Sequence, residues 1–154
     1  MSGELLLSDD ARSTAGILLL TVVAVEYGGT FMLRVVRGRV PMTPFQRSFA
    51  RAGHAHAGVL VIAALVCQLL ADAADVSGLQ GTLARSGVPL AAILFPAGFF
   101  LSSMGSGRTE PNWLIWLLYA GAAILAASVV TLGIALLRSQ VVGASPWPDG
   151  LMHA

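Results

Sequence analysis

Two histidines, His54 and His56, stand in the stretch Arg51-Ala-Gly-His-Ala-His-Ala-Gly58, at the mouth of an apolar run from Val59 to Ala71. Glu26 interrupts the preceding apolar segment, beside Tyr27, Gly28, Gly29 and Thr30. Ionisable side chains are costly next to hydrocarbon, and where they occur there they mark ion paths, proton relays or ligand sites. Imidazole nitrogens ligate metals and haem iron, and an imidazole titrates close enough to neutrality to pass protons. Glu26, His54 and His56 are therefore candidate ligands for a divalent metal, with His54 and His56 the candidate ligands for haem and all three candidates for proton transfer. Tyr27, which carries a hydroxyl donor, and Arg51, which can face a carboxylate, are the supporting candidates.

If Arg34 and Arg47 mark one interface, the two apolar segments can be set in register at 1.5 Å per residue. Glu26 is eight residues from Arg34, and Ala55 is eight from Arg47. The carboxylate then falls level with both histidines, about 12 Å below the arginines. Residues two apart on an α-helix point about 200° apart. His54 shares a face with Arg47, Arg51 and Gly58, and His56 shares the opposite one with Phe49, Ala52 and Ala63. This spacing favours a separate partner for each ring over joint chelation of one metal, which a pair four residues apart does better. A charged Glu26 at mid-membrane would cost about 2.5–3.5 kcal/mol, so it needs a proton, a hydrogen bond or a cationic partner.

The elements that must position these groups are helices in lipid. Hydrophobic residues make up 56% of the 154 and charged residues 11%, with mean hydropathy +0.78, where soluble domains carry roughly 25% charged residues. The length fits one domain, 1–154, with capacity for four spans. Net charge is +1 and every basic residue is an arginine, which leaves no basic footprint for nucleic acid. Cys67 is the single cysteine, so neither an intrachain disulfide nor a cysteine-based zinc site is available.

Hydropathy and punctuation place the spans at about 15–36, 44–72, 88–104 and 112–137. Residues 1–12 form an acidic tail whose Glu4, Asp9 and Asp10 do not match the positive start of a cleaved leader, so the first apolar run is expected to remain as a spanning helix. Thr43-Pro44-Phe45-Gln46 has the form of a helix start with a capping box. Residues 73–87 read as a polar loop. Pro96 frees a carbonyl in the third span, and Ser102, Ser103, Thr109, Glu110 and Asn112 are expected to cap helices three and four, with a shared polar pocket as the alternative. Small residues recur at helical spacing on helix two (Ala50, Gly53, Ala57, Ala64) and helix four (Ala120, Ala123, Ala127, Thr131), predicting the close-packed faces. The segment Ser145-Pro-Trp-Pro-Asp-Gly is expected to be an exposed tail, with His153 beyond it.

Arg34, Arg37, Arg39, Arg47, Arg51 and Arg108 fall on one side, against Arg12, Arg85 and Arg138 on the other. The positive-inside rule then puts both termini outside the cytoplasm. The expected fold is an all-α, up-down bundle of four transmembrane helices, multi-pass in the inner (plasma) membrane.

The segments Glu26-Tyr-Gly-Gly-Thr-Phe-Met-Leu-Arg-Val-Val-Arg-Gly and Arg51-Ala-Gly-His-Ala-His-Ala-Gly-Val-Leu-Val resemble those of uncharacterised small four-helix integral membrane proteins of GC-rich bacteria, which lend a fold and no activity. The His-x-His step before glycine is similar to helices of haem-copper oxidase-like membrane proteins, in which histidine ligates haem. The chain lacks the further histidines of such oxidases, so that similarity implies at most one axially ligated haem. Two functions follow as expectations. One is an intramembrane Glu/His site for metal or haem binding or proton transfer, serving a redox or transport partner. The alternative is a non-catalytic accessory or assembly subunit in which Glu26 and the histidines are structural. The expected surroundings are the lipid bilayer and a membrane-protein partner or a second copy.

Overall fold

The computed structural model describes residues 7–143. The expected tail from Ser145, His153 and Glu4 lie outside the described residues. Four helices make up nearly all of the rest: α1 (Asp9–Val36), α2 (Pro44–Ala73), α3 (Gly78–Ser102) and α4 (Trp116–Gly143), the last preceded by one 3-10 turn, Trp113–Ile115. Each is long and apolar enough to cross a membrane. Together they suggest a multi-pass membrane protein.

Helix α1 starts earlier than the hydropathy predicts, and the reason is local. The Ser8 hydroxyl accepts from the backbone N–H of Ala11, and Asp9 and Asp10 place negative charge in the first turn, where the helix dipole favours it. Ser8 is also tied to the far end of α2: its backbone N–H donates to Asp72 Oδ2 at 2.8 Å and its hydroxyl to Oδ1 at 2.9 Å. The segment expected as an acidic tail is thus helical from Asp9. The start of α2 is as its punctuation predicts, with Pro44 in the first turn, Gln46 N–H donating to Thr43 Oγ1 and Thr43 N–H to Gln46 Oε1, each at 3.1 Å.

Most of the expected loop at 73–87 is helix, because α3 begins at Gly78. Its early turns bury Gly81, Ala84, Gly87 and Val88 on one face and expose Leu79, Gln80 and Thr82 on the other. A contact face made of glycine and alanine has little hydropathy, so the turn reads as polar although it is packed. Pro89 and Pro96 both lie inside α3 without ending it. Proline lacks an N–H, so Pro89 leaves the carbonyl four residues back without its helical donor. That carbonyl, Arg85 O, accepts instead from Gln68 Nε2 at 2.7 Å, and Gln68 is completely buried on α2.

Packing centres on α2 and α3. Helix α3 lies between α2 and α4, whereas α1 packs on α2 and leaves most of its own surface outward: 11% of its most apolar window is buried, against 33% for α2. Leu18, Val61, Ala64, Cys67, Ala71, Ala84, Val88 and Leu132 form one core cluster. Met32, Val35 and Ala50 form a second, towards the other end. On α2 the small residues Ala50, Gly53 and Ala64 are buried as expected, Gly53 against Phe99 and Phe100. On α4 the face differs: Ala120, Ala123 and Ala127 are exposed, and Gly121, Ser128 and Leu132 are buried instead. Helix α4 is apolar all round, so no period in its sequence distinguishes the packed side.

The Gln68 amide and Pro89 are predicted to be coupled. In a double-mutant cycle, Gln68→Leu leaves the Arg85 carbonyl unbonded, while Pro89→Ala restores its helical donor. Reversible unfolding in detergent should give a coupling energy of about 1–3 kcal/mol between the two positions. Simple additivity would show that the amide bond contributes nothing.

Candidate functional site

The packing of α1 on α2 decides where the three candidates point. A β-carbon added to Gly28 would lie 3.6 Å from Nδ1 of His54, and one added to Gly29 would lie 3.7 Å from Nε2. The His54 ring therefore rests on the α1 backbone at a place where α1 carries no side chain. One turn further along, Gly58 faces Val25. These contacts set the register, and they put Glu26 at the depth of the residues between His54 and Gly58.

Depth is shared, but direction is not. Glu26 is exposed on the outer side of α1, as is Tyr27, which is 79% accessible. His54 is half-buried between α1 and α2. His56 lies on the opposite face of α2 and stacks on α3, its ring nearly parallel to Phe95 at 5.4 Å between centroids and tilted against Phe99 at 5.1 Å. Arg51 is exposed, and among the described residues the ion pairs are Arg12–Asp9 and Arg85–Asp72. The structure brings His54 to Gly28 and Gly29, and His56 to Phe95 and Phe99; it does not bring Glu26 to either ring. Among the described residues no three of His, Cys, Asp and Glu stand together as a metal-holding group.

His56 has one defined polar contact. Its Nδ1 lies 2.8 Å from the carbonyl of Ala52, one turn earlier on α2. A carbonyl only accepts, so Nδ1 carries the proton of this bond. In the neutral ring Nε2 then keeps its lone pair, and His56 as a residue is exposed.

The best-connected polar groups lie elsewhere. At the end of α2 that adjoins the start of α1, Asp72 accepts from Ser8 and pairs with Arg85, whose guanidinium also reaches the carbonyls of Ala71 and Val76, each at 3.5 Å. At the opposite end Gln46 is buried and donates to the carbonyls of Ser103, at 2.9 Å, and Gly105, at 2.6 Å, while the Thr43 hydroxyl bonds the carbonyl of Arg108. Asn112 closes this end: its side chain bonds Leu101 O and Leu114 N–H, and its own N–H donates to Ser102 O. Sequence reasoning singled out neither Gln68 nor the Asp72–Arg85 pair. The available signal was Gln68 inside an apolar run and Pro89 in the next helix.

The described chain is all-α, with four helices of membrane-crossing length and apolarity, compatible with a small membrane protein. No family model, no curated protein and no solved structure matches it.

The His56 geometry predicts a tautomer. Nitrogen-15 spectra of the ring-labelled protein in bilayers, at a pH where the ring is neutral, should show a protonated Nδ1 and a bare Nε2 for His56. The opposite tautomer would mean that the Ala52 contact is absent.

Proposed function

We propose that this protein is a small multi-pass subunit of the inner (plasma) membrane that acts within a larger membrane assembly, presenting Glu26 to a neighbouring protein or to a second copy of itself. The observation that carries this reading is the exposure of Glu26 on α1, the helix whose own surface is least covered. In lipid a bare carboxylate at that depth costs about 2.5–3.5 kcal/mol. Among the described residues no cation pairs with it, so relief comes from a proton or from a group beyond the described residues, and a neighbouring protein or a second copy supplies such a group. The helices run up and down through the bilayer, with both termini outside the cytoplasm and the end rich in arginine inside. In this role the histidines are structural: His54 fills the space over Gly28 and Gly29, and His56 wedges against α3.

A second reading draws on the His56–Ala52 bond alone. With Nδ1 committed to the carbonyl, Nε2 is free to ligate a divalent metal or one haem iron, for a redox or transport partner. Glu26 and His54 would then not share that site.

Native-lipid nanodiscs separate the two. The assembly reading predicts particles containing more than one 15.9 kDa chain, and a loss of about 1.5–3 kcal/mol in association for Glu26→Ala, as for a hydrogen bond to a charged group, with a smaller loss for Glu26→Gln. Particles holding one chain only, alike for wild type and variants, would contradict it. The ligand reading predicts a Soret band or stoichiometric metal in the purified protein that His56→Ala abolishes. Neither signal in the wild type would end that reading.

A further inference from the structure

The arginine-rich end of the molecule holds a hollow that the assembly role does not use. It lies between the end of α1 and the start of α2, has a volume of about 390 Å³, and is lined by Val35, Val36, Pro44, Arg47, Ser48 and Arg51. Arg47 and Arg51 are four residues apart, so they rise from one face of α2 as neighbours, and two guanidinium groups so placed repel unless an anion stands between them. Among the described residues neither belongs to an ion pair. Arg34, Arg37, Arg39, Arg108 and Arg138 are likewise outside the ion pairs found among the described residues, so what sets Arg47 and Arg51 apart is that the two line one hollow together. Thr43 and Gln46 are engaged by the Ser103–Arg108 loop, which leaves Ser48 as the polar neighbour that lines the hollow.

We infer that this hollow binds a phosphate group, held between Arg47 and Arg51 with Ser48 as a further donor. A guanidinium fork matches phosphate oxygens with two parallel charge-assisted bonds. The walls define what else the ligand carries. Val35, Val36 and Pro44 give the hollow an apolar side, and exposed Leu33, Val59 and Ile62 lie further along the same two helices. A phosphodiester headgroup at the membrane surface, its acyl chains laid along that surface, satisfies both parts. Basic pockets between spanning helices on the cytoplasmic side bind anionic headgroups in this manner. Free phosphate offers the same chemistry to the arginines and leaves the apolar wall unused. The inference rests on the chain spanning a membrane and is independent of what Glu26 meets.

Native mass spectrometry of the full chain in detergent tests it, with phosphatidylglycerol, phosphatidylcholine and inorganic phosphate as probes. Phosphatidylglycerol, whose headgroup is a net anion, should bind about tenfold or more tightly than phosphatidylcholine, whose choline sets a cation against the same two guanidinium groups, and Arg47→Ala/Arg51→Ala should remove that preference, whereas Arg138→Ala should keep it. Displacement of the lipid by millimolar inorganic phosphate would assign the site to the phosphate group alone; retention of the lipid would assign it to the whole headgroup. Equal binding of the two lipids by the wild type, with no bound phosphate, overturns the inference, as does a preference that survives in the double variant. Because the wild-type preference is read directly, a variant that fails to fold does not shelter the proposal.

Discussion

Helices that share a bilayer gain nothing by hiding apolar surface from water, so their association depends on how closely their backbones can approach. In this chain that approach is made where one helix lacks bulk. Gly28 and Gly29 of α1 receive the His54 ring, Gly53 of α2 receives Phe99 and Phe100, and Gly98 of α3 meets the backbone of Leu118, where an added β-carbon would lie 2.6 Å from the nitrogen. The first two of these contacts lie on different sides of α2. Because α1 and α3 occupy different sides, the two histidines, two residues apart, are sent to different neighbours.

The ends of the bundle are closed by hydrogen bonds rather than by bulk. Asp72 gathers Ser8 and Arg85 at one end, and Gln46 and Thr43 gather the carbonyls of the α3–α4 connection at the other. Between them, Gln68 repairs the ladder that Pro89 interrupts, at the expense of its own Oε1, which is buried without a partner among the described residues. The arginines differ in what they face. Arg85 and Arg12 have carboxylates beside them, whereas Arg47 and Arg51 have an open hollow.

Much of this was legible in the residues. Thr43, Pro44 and Gln46 marked the start of α2 because a capping box is local chemistry, complete within four residues. Counting inward from Arg34 and Arg47 set Glu26 level with the histidines, because helical rise is constant. The 200° turn between His54 and His56 already argued for separate partners. What could not be read was direction on α1 and α4. Helix α1 is apolar around most of its circumference, so nothing in its pattern said that Gly28 and Gly29, and not Glu26, would face α2. Helix α4 has the same uniformity, and its packed side proved to be that of Gly121 and Ser128. The early turns of α3 were hidden for a different reason, since the packed side includes Gly81 and Gly87, which add no apolar signal, while the exposed side carries Gln80, Thr82 and Ser86. Gln68 and Pro89 make sense only as a pair, and a pair across two helices is invisible until the helices are placed.

The central claim is that an acid and two imidazoles at one depth in the membrane face three different surroundings. It is tested most directly by rotational-echo distance measurements in bilayers, with carbon-13 in the Glu26 carboxyl, nitrogen-15 in the histidine rings, and labelled chains diluted among unlabelled ones so that only contacts within a chain are seen. The account predicts no dephasing of the carboxyl signal by either ring. Strong dephasing by His54 or His56 would place the carboxylate against an imidazole and contradict it.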